Sequence, residues 1–105
     1  MNKKLINQIK KRLVEKFQPE QIFLFGSAVS KKTFNSEKSD IDLLIIKKTD
    51  LPYRKRYAQA RSSIRGFGMP FDLLIYTPDE INELKLDNYS VVNQAINNGI
   101  KLYEK

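Results

Sequence analysis

The chain has 105 residues, 41% of them hydrophobic, which suits one domain with a single modest core. Nineteen Lys and Arg against twelve Asp and Glu give a net charge of +7, which favours anionic partners: nucleoside triphosphates, nucleic acid or an acidic protein face. There is no cysteine and no histidine, so disulfides, thiolate or imidazole metal sites, cysteine nucleophiles and serine–histidine triads are all excluded.

The start, "MNKKLINQIKKRL", is basic but lacks the uninterrupted apolar core and small-residue cleavage site of a secretion signal. Leu5, Ile6, Ile9, Leu13 and Phe17 recur at helical spacing and predict a first amphipathic helix, and the default compartment is the cytoplasm. No stretch approaches the length of a membrane-spanning helix, so no membrane partner is expected.

After Pro19, "QIFLF" reads as a short buried strand ending at Gly26. Residues Ala28 to Ser39 are polar and lysine-rich, a short helical turn followed by a loop. "DIDLLII" is a nearly continuous aliphatic run, the pattern of a strand covered on both faces. Between Leu51 and Arg65, Tyr53, Tyr57, Ala60 and Ile64 form a helical stripe, with Arg54, Arg61 and Arg65 on another face.

"GFGMP" is turn chemistry, and "FDLLIY" is a third strand of the same character as the second. "TPDE" then opens a helix: Thr77 caps, Pro78 fits the first position, and Glu80 completes a capping box. A last helix runs from about Ser90 to Asn98, stopped by Gly99, and "IKLYEK" can close the sheet. Helices alternating with strands, without repeats or linkers, give an α/β (α+β) class: a single domain, 1–105, on a small sheet flanked by helices.

Candidate chemistry gathers at strand ends. Asp40 and Asp42 are two residues apart in an extended run, so they project to the same face and repel unless something positive lies between them. Asp72 opens the third strand immediately before an equivalent aliphatic run. If the two strands are parallel neighbours, all three carboxylates converge on one sheet edge. An all-oxygen set of this kind suits two magnesium ions clamping a triphosphate. Gly26 lets backbone approach a phosphate closely, and Ser27 supplies a donor. Taken singly, a Gly-Ser turn or an Asp-x-Asp strand entrance is ordinary; their ordered combination with Asp72 is what carries the reading.

"FGSAVSKKTFNSEKSDIDLLII", with "FDLLIYTPDE", resembles the signature of the DNA polymerase beta-like nucleotidyltransferase superfamily: Gly-Ser, a spacer, then Asp-hydrophobic-Asp-hydrophobic, and a third acid on a later strand. The chain is similar throughout its length to the minimal nucleotidyltransferases (the MNT family). The resemblance implies a mixed sheet flanked by helices, with Asp40, Asp42 and Asp72 as catalytic residues and ligands of two Mg2+ ions. It implies Gly26 and Ser27 at the nucleotide phosphates, ATP or another NTP as substrate, and Asp72 as the group that orients or accepts the hydroxyl proton. Many relatives carry a basic residue directly after Gly-Ser; Ala28 stands there in this chain.

Lys31 and Lys32 adjoin the phosphate loop, and Lys31 is a further phosphate-binding candidate, although a solvated surface is the simpler reading of these cations and of the arginines of the second helix. Tyr53 and Tyr57 at helical spacing read as core or interface residues. Minimal members of the family resemble antitoxins paired with a HEPN-domain toxin encoded nearby. By that resemblance the chain would transfer AMP from ATP to a toxin hydroxyl, as a homo- or hetero-oligomer. Two other readings stand beside it: a non-catalytic binding antitoxin or nucleotide-binding module, and a basic nucleic-acid-binding domain, for which metal-independent, salt-sensitive binding would be the signature. Nucleic acid is not the expected partner, because the carboxylates would repel phosphates without metal.

Overall fold

In a computed structural model, residues 3–26, 41–87 and 90–105 are described. Among the described residues, four helices and four strands follow one another as α1 (Lys3–Lys16), β1 (Gln21–Phe25), β2 (Ile41–Ile46), α2 (Tyr53–Ser63), β3 (Phe71–Tyr76), α3 (Pro78–Leu84), α4 (Val91–Asn98) and β4 (Ile100–Glu104). The strands form one mixed sheet in the order β3-β2-β1-β4. β1 is antiparallel to both β2 and β4, whereas β2 and β3 run parallel. That is the small mixed sheet flanked by helices that the family resemblance implies, and it meets the condition that the second and third strands be parallel neighbours.

The alternation of each strand divides the core in two. Ile22, Leu24, Ile41, Leu43, Ile45, Leu73 and Ile75 face α1 and α2, where Ile6, Ile9, Leu13, Ala60 and Ile64 close over them. Phe23, Leu44 and Ile46 face the other way, against Ile81 of α3 and Val92 and Ala95 of α4. β2 is buried throughout except at Asp42, as a run of aliphatics covered on both faces must be. Lys47 follows it and ties the sheet to the end of α1. Its Nζ donates to the Phe17 and Gln18 carbonyls at 2.6 and 3.2 Å, and a cation suits the negative end of a helix.

The cap chemistry forms as the sequence predicts. The Thr77 hydroxyl accepts from the Glu80 amide at 3.2 Å, and Glu80 Oε1 accepts from the Thr77 amide at 2.8 Å. Ser90 caps α4. Gly99 ends that helix for a different reason from a left-handed cap: its φ is −84, and a Cβ there would strike the Ala95 and Leu24 carbonyl oxygens. Glycine lets the end of α4 press onto β1.

One helical face departs from the predicted stripe. Tyr53 and Tyr57 are both exposed, and Arg56 takes the inward place at 8% exposure. Its guanidinium binds Glu80 at 2.7 and 3.3 Å and donates to the Leu51 carbonyl at 2.7 Å. An apolar-periodicity reading passes over such a residue because it counts arginine as surface. Among the described residues, no helix is long and apolar enough to cross a membrane.

Candidate active site at the β2–β3 edge

β3 is an edge strand, and its outward backbone groups would be left to water without α2. Side chains of α2 supply the partners. Arg61 Nη1 donates to the Phe71 carbonyl at 3.3 Å, and Arg56 Nη1 donates to that of Ile75 at 3.4 Å. The Tyr53 hydroxyl donates to the Leu73 carbonyl and accepts from the Ile75 amide, both at 3.4 Å. Partial burial pushes the Tyr53 phenol above its ordinary 10.0, which keeps it a donor. Tyr53 and Arg61 thus have a specific task that sequence periodicity could not assign, since it depends on which strand lies at the edge.

This bracing holds the strand that carries Asp72. Asp72 lies between the two braced carbonyls of Phe71 and Leu73 and stands in register with Asp42 on β2. Neighbouring strands are about 4.8 Å apart, so the two carboxylates leave adjacent backbone positions on the same sheet face. Asp42 is half-buried and Asp72 exposed. On its other side Asp42 is paired with Phe25, the last residue of β1. Gly26 follows directly with φ 74, and a Cβ on it would overlap the Asp42 carboxylate. Side chain and turn share one small volume, which only glycine permits.

The structure therefore brings together Gly26, Asp42 and Asp72 at one end of the sheet. Ser27, Lys31, Lys32 and Asp40 lie outside the described residues. Among the described residues no group of three or more acidic side chains is placed to hold a metal ion. Two of the three predicted carboxylates are in register, and the third lies immediately before β2 in sequence. Their oxygen-only donor chemistry fits a hard divalent cation such as Mg2+.

A groove of about 710 Å³ lies far from these acids, at the opposite end of the sheet, between β1 and α3 and lined by Phe23, Ile46, Ile81 and Lys85 among others. It shares no residue with the carboxylate edge.

Residues 7–105 match the family model described as Polymerase beta, Nucleotidyltransferase. A solved structure of a proposed nucleotidyltransferase from Sulfolobus solfataricus is similar in fold, with a TM-score of 0.57 and 24% identity, over 76% of this chain and 70% of that one. No curated protein matches the chain.

Proposed function

The chain belongs to the Polymerase beta nucleotidyltransferase family, and from that premise we propose that it is a Mg2+-dependent enzyme transferring a nucleoside monophosphate, AMP from ATP, to a hydroxyl of a partner protein. The observation that carries the reading is the registered pair Asp42 and Asp72 beside the Gly26 turn. Two like charges placed directly across a strand pair repel, and a divalent cation held between them would relieve that repulsion.

In this reading Asp40, Asp42 and Asp72 hold the metal. A bound metal would neutralise triphosphate charge and lower the pKa of the acceptor hydroxyl. The acceptor oxygen bonds to the α-phosphorus of ATP as the bond from that phosphorus to the β-phosphate breaks, and pyrophosphate leaves. Gly26 keeps the turn free of side-chain bulk, so that backbone amides reach the terminal phosphates, with Ser27 as a further donor. Asp72, the more exposed acid, takes the hydroxyl proton, because no histidine is available for that task. The acceptor is assigned to a partner protein by analogy with the minimal nucleotidyltransferases, which resemble antitoxins paired with a toxin. The partner proposed is a HEPN-domain toxin encoded beside this protein, which makes the pair an antitoxin and its target.

The test mixes the protein with its neighbouring gene product, ATP and Mg2+, and weighs the partner by intact mass. Addition of one or more AMP units supports transfer. A stable complex with unchanged mass would overturn it in favour of neutralisation by binding alone.

A further inference from the structure

The positive charge of the chain is sorted by the sheet. α1 carries Lys3, Lys4, Lys10, Lys11, Arg12 and Lys16 against one acid, Glu15. α2 and the turn after it carry Arg54, Lys55, Arg61 and Arg65 on the exposed side, with no acid. The two helices adjoin on one sheet face: Arg12 Nη1 donates to the Arg65 carbonyl at 3.3 Å, and its guanidinium lies 5.1 Å from the centre of the Phe67 ring. On the other face the balance reverses, with Asp79, Glu80, Glu83, Asp87 and Glu104 against Lys85 and Lys101. The ion pairs among the described residues, Arg56–Glu80 and Lys101–Glu104, use none of the outer cations of α1 and α2.

Arg12 and Arg61 also hold the Arg65 and Phe71 carbonyls, but folding supplies no reason for the rest of these cations. The positive end of a helix dipole favours acids, yet the first turns of α1 and α2 have none, whereas α3 has Asp79 and Glu80 there. Lys3, Lys4, Arg54 and Lys55 stand at those positive ends instead, and the whole layer repels itself. A surface that works against its own helices is suited to an external polyanion.

Its composition separates one polyanion from another. Protein interfaces are depleted in lysine and centre on an apolar core. Here lysines outnumber arginines, and the large exposed apolar side chains of the layer are Tyr53 and Tyr57 alone. Point charges distributed along a track match phosphates instead. The fourteen residues of α1 extend about 21 Å, roughly six phosphate steps along one strand. The carboxylates do not oppose such a ligand, because Asp42 and Asp72 project to the α3–α4 face of the sheet while the cations lie on the other.

We propose that the α1–α2 layer is a docking face for nucleic acid that grips the phosphate backbone and reads no sequence. This surface is independent of the transfer reaction proposed above: it places the protein on a nucleic acid without making that nucleic acid the acceptor.

Fluorescence anisotropy with labelled duplex RNA, duplex DNA and single-stranded RNA of unrelated sequences tests it, in EDTA and across a series of KCl concentrations. EDTA removes any contribution from metal held at Asp42 and Asp72. Affinity should be indifferent to sequence and fall linearly with salt on logarithmic axes. For duplex DNA the triple variant Lys4→Gln, Lys11→Gln, Arg54→Gln should lower the slope by about 0.9 for each phosphate that it no longer neutralises. A control removing equal charge elsewhere, Lys48→Gln, Lys85→Gln, Lys105→Gln, should keep the parental slope, with thermal melts verifying that both variants fold. Equal weakening in the two variants would overturn the proposal in favour of net charge alone. Absence of salt-dependent binding to every nucleic acid also overturns it, and binding to poly-glutamate in that case reassigns the face to an acidic protein.

Discussion

Gly26 and Asp42 claim the same space: a Cβ on the glycine would sit within the carboxylate of the aspartate, and the glycine φ of 74 is itself unfavourable for other residues. Turn and acid are therefore one unit, and a change at either moves the other. Gly26→Ala should unfold only slightly more easily, by about 1–2 kcal/mol for the left-handed backbone. Displacement of Asp42 by even 1 Å should cost nucleotide transfer about 100-fold. Thermal melts and transfer rates measured on the same preparation check the contrast; equal, small effects on both would separate the turn from the chemistry.

Asp42 and Asp72 face each other across parallel strands, which makes their joint charge a burden on the metal-free protein. Asp72→Asn should leave the fold intact and raise its stability without metal by about 0.2–1 kcal/mol, the scale of a cross-strand charge pair. It should also abolish transfer and remove any rise in melting temperature on adding Mg2+. Melting curves with and without Mg2+ separate these effects. Asp42→Asn is expected to abolish transfer as well while leaving the fold intact.

Much of this arrangement was legible in the chain because it rests on local rules. The runs "QIFLF", "DIDLLII" and "FDLLIY" are strands because aliphatics bounded by Gly, Pro and Asp have few other uses, and Thr77–Glu80 is a capping box by spacing alone. The parallel pairing of β2 with β3, on which the meeting of Asp42 and Asp72 depends, entered only as a condition. What stayed hidden is long-range. Arg56 could not be seen as buried without knowing that Glu80, 24 residues on, would meet it, and Tyr53 could not be seen as a brace without knowing that β3 lies at the sheet edge.

The bracing of β3 by α2 can be tested one atom at a time. Tyr53→Phe removes the hydroxyl that serves both the Leu73 carbonyl and the Ile75 amide, with no change in ring packing. The expected loss is about 1 kcal/mol, with faster hydrogen exchange at the Ile75 amide. At high pH the ordering changes. The folded phenol titrates above 10.0, so its stabilising effect is complete below that value and falls as pH rises through the folded pKa. Wild type should therefore lose stability in strong alkali that the phenylalanine variant keeps; identical alkaline limbs would show that the hydroxyl is not held.

The Arg56–Glu80 pair joins α2 to the start of α3 and sets the acid response. Arg56→Met should cost about 2 kcal/mol, since it removes charged hydrogen bonds to Glu80 and the Leu51 carbonyl, whereas Arg54→Met on the exposed side should stay within about 0.5 kcal/mol. The Arg56 guanidinium holds the Glu80 carboxyl below its ordinary 4.5, with help from the Thr77 amide. A depressed carboxyl stabilises the folded state above the unfolded value and loses that effect as pH falls through the folded one. Glu80 remains 41% exposed, so solvent screens the pair and the gain is modest. Urea melts below pH 4.5 should show wild type losing stability more steeply than Glu80→Gln, with the two curves running parallel between pH 6 and 8, where Glu80 is ionised in both the folded and unfolded chain.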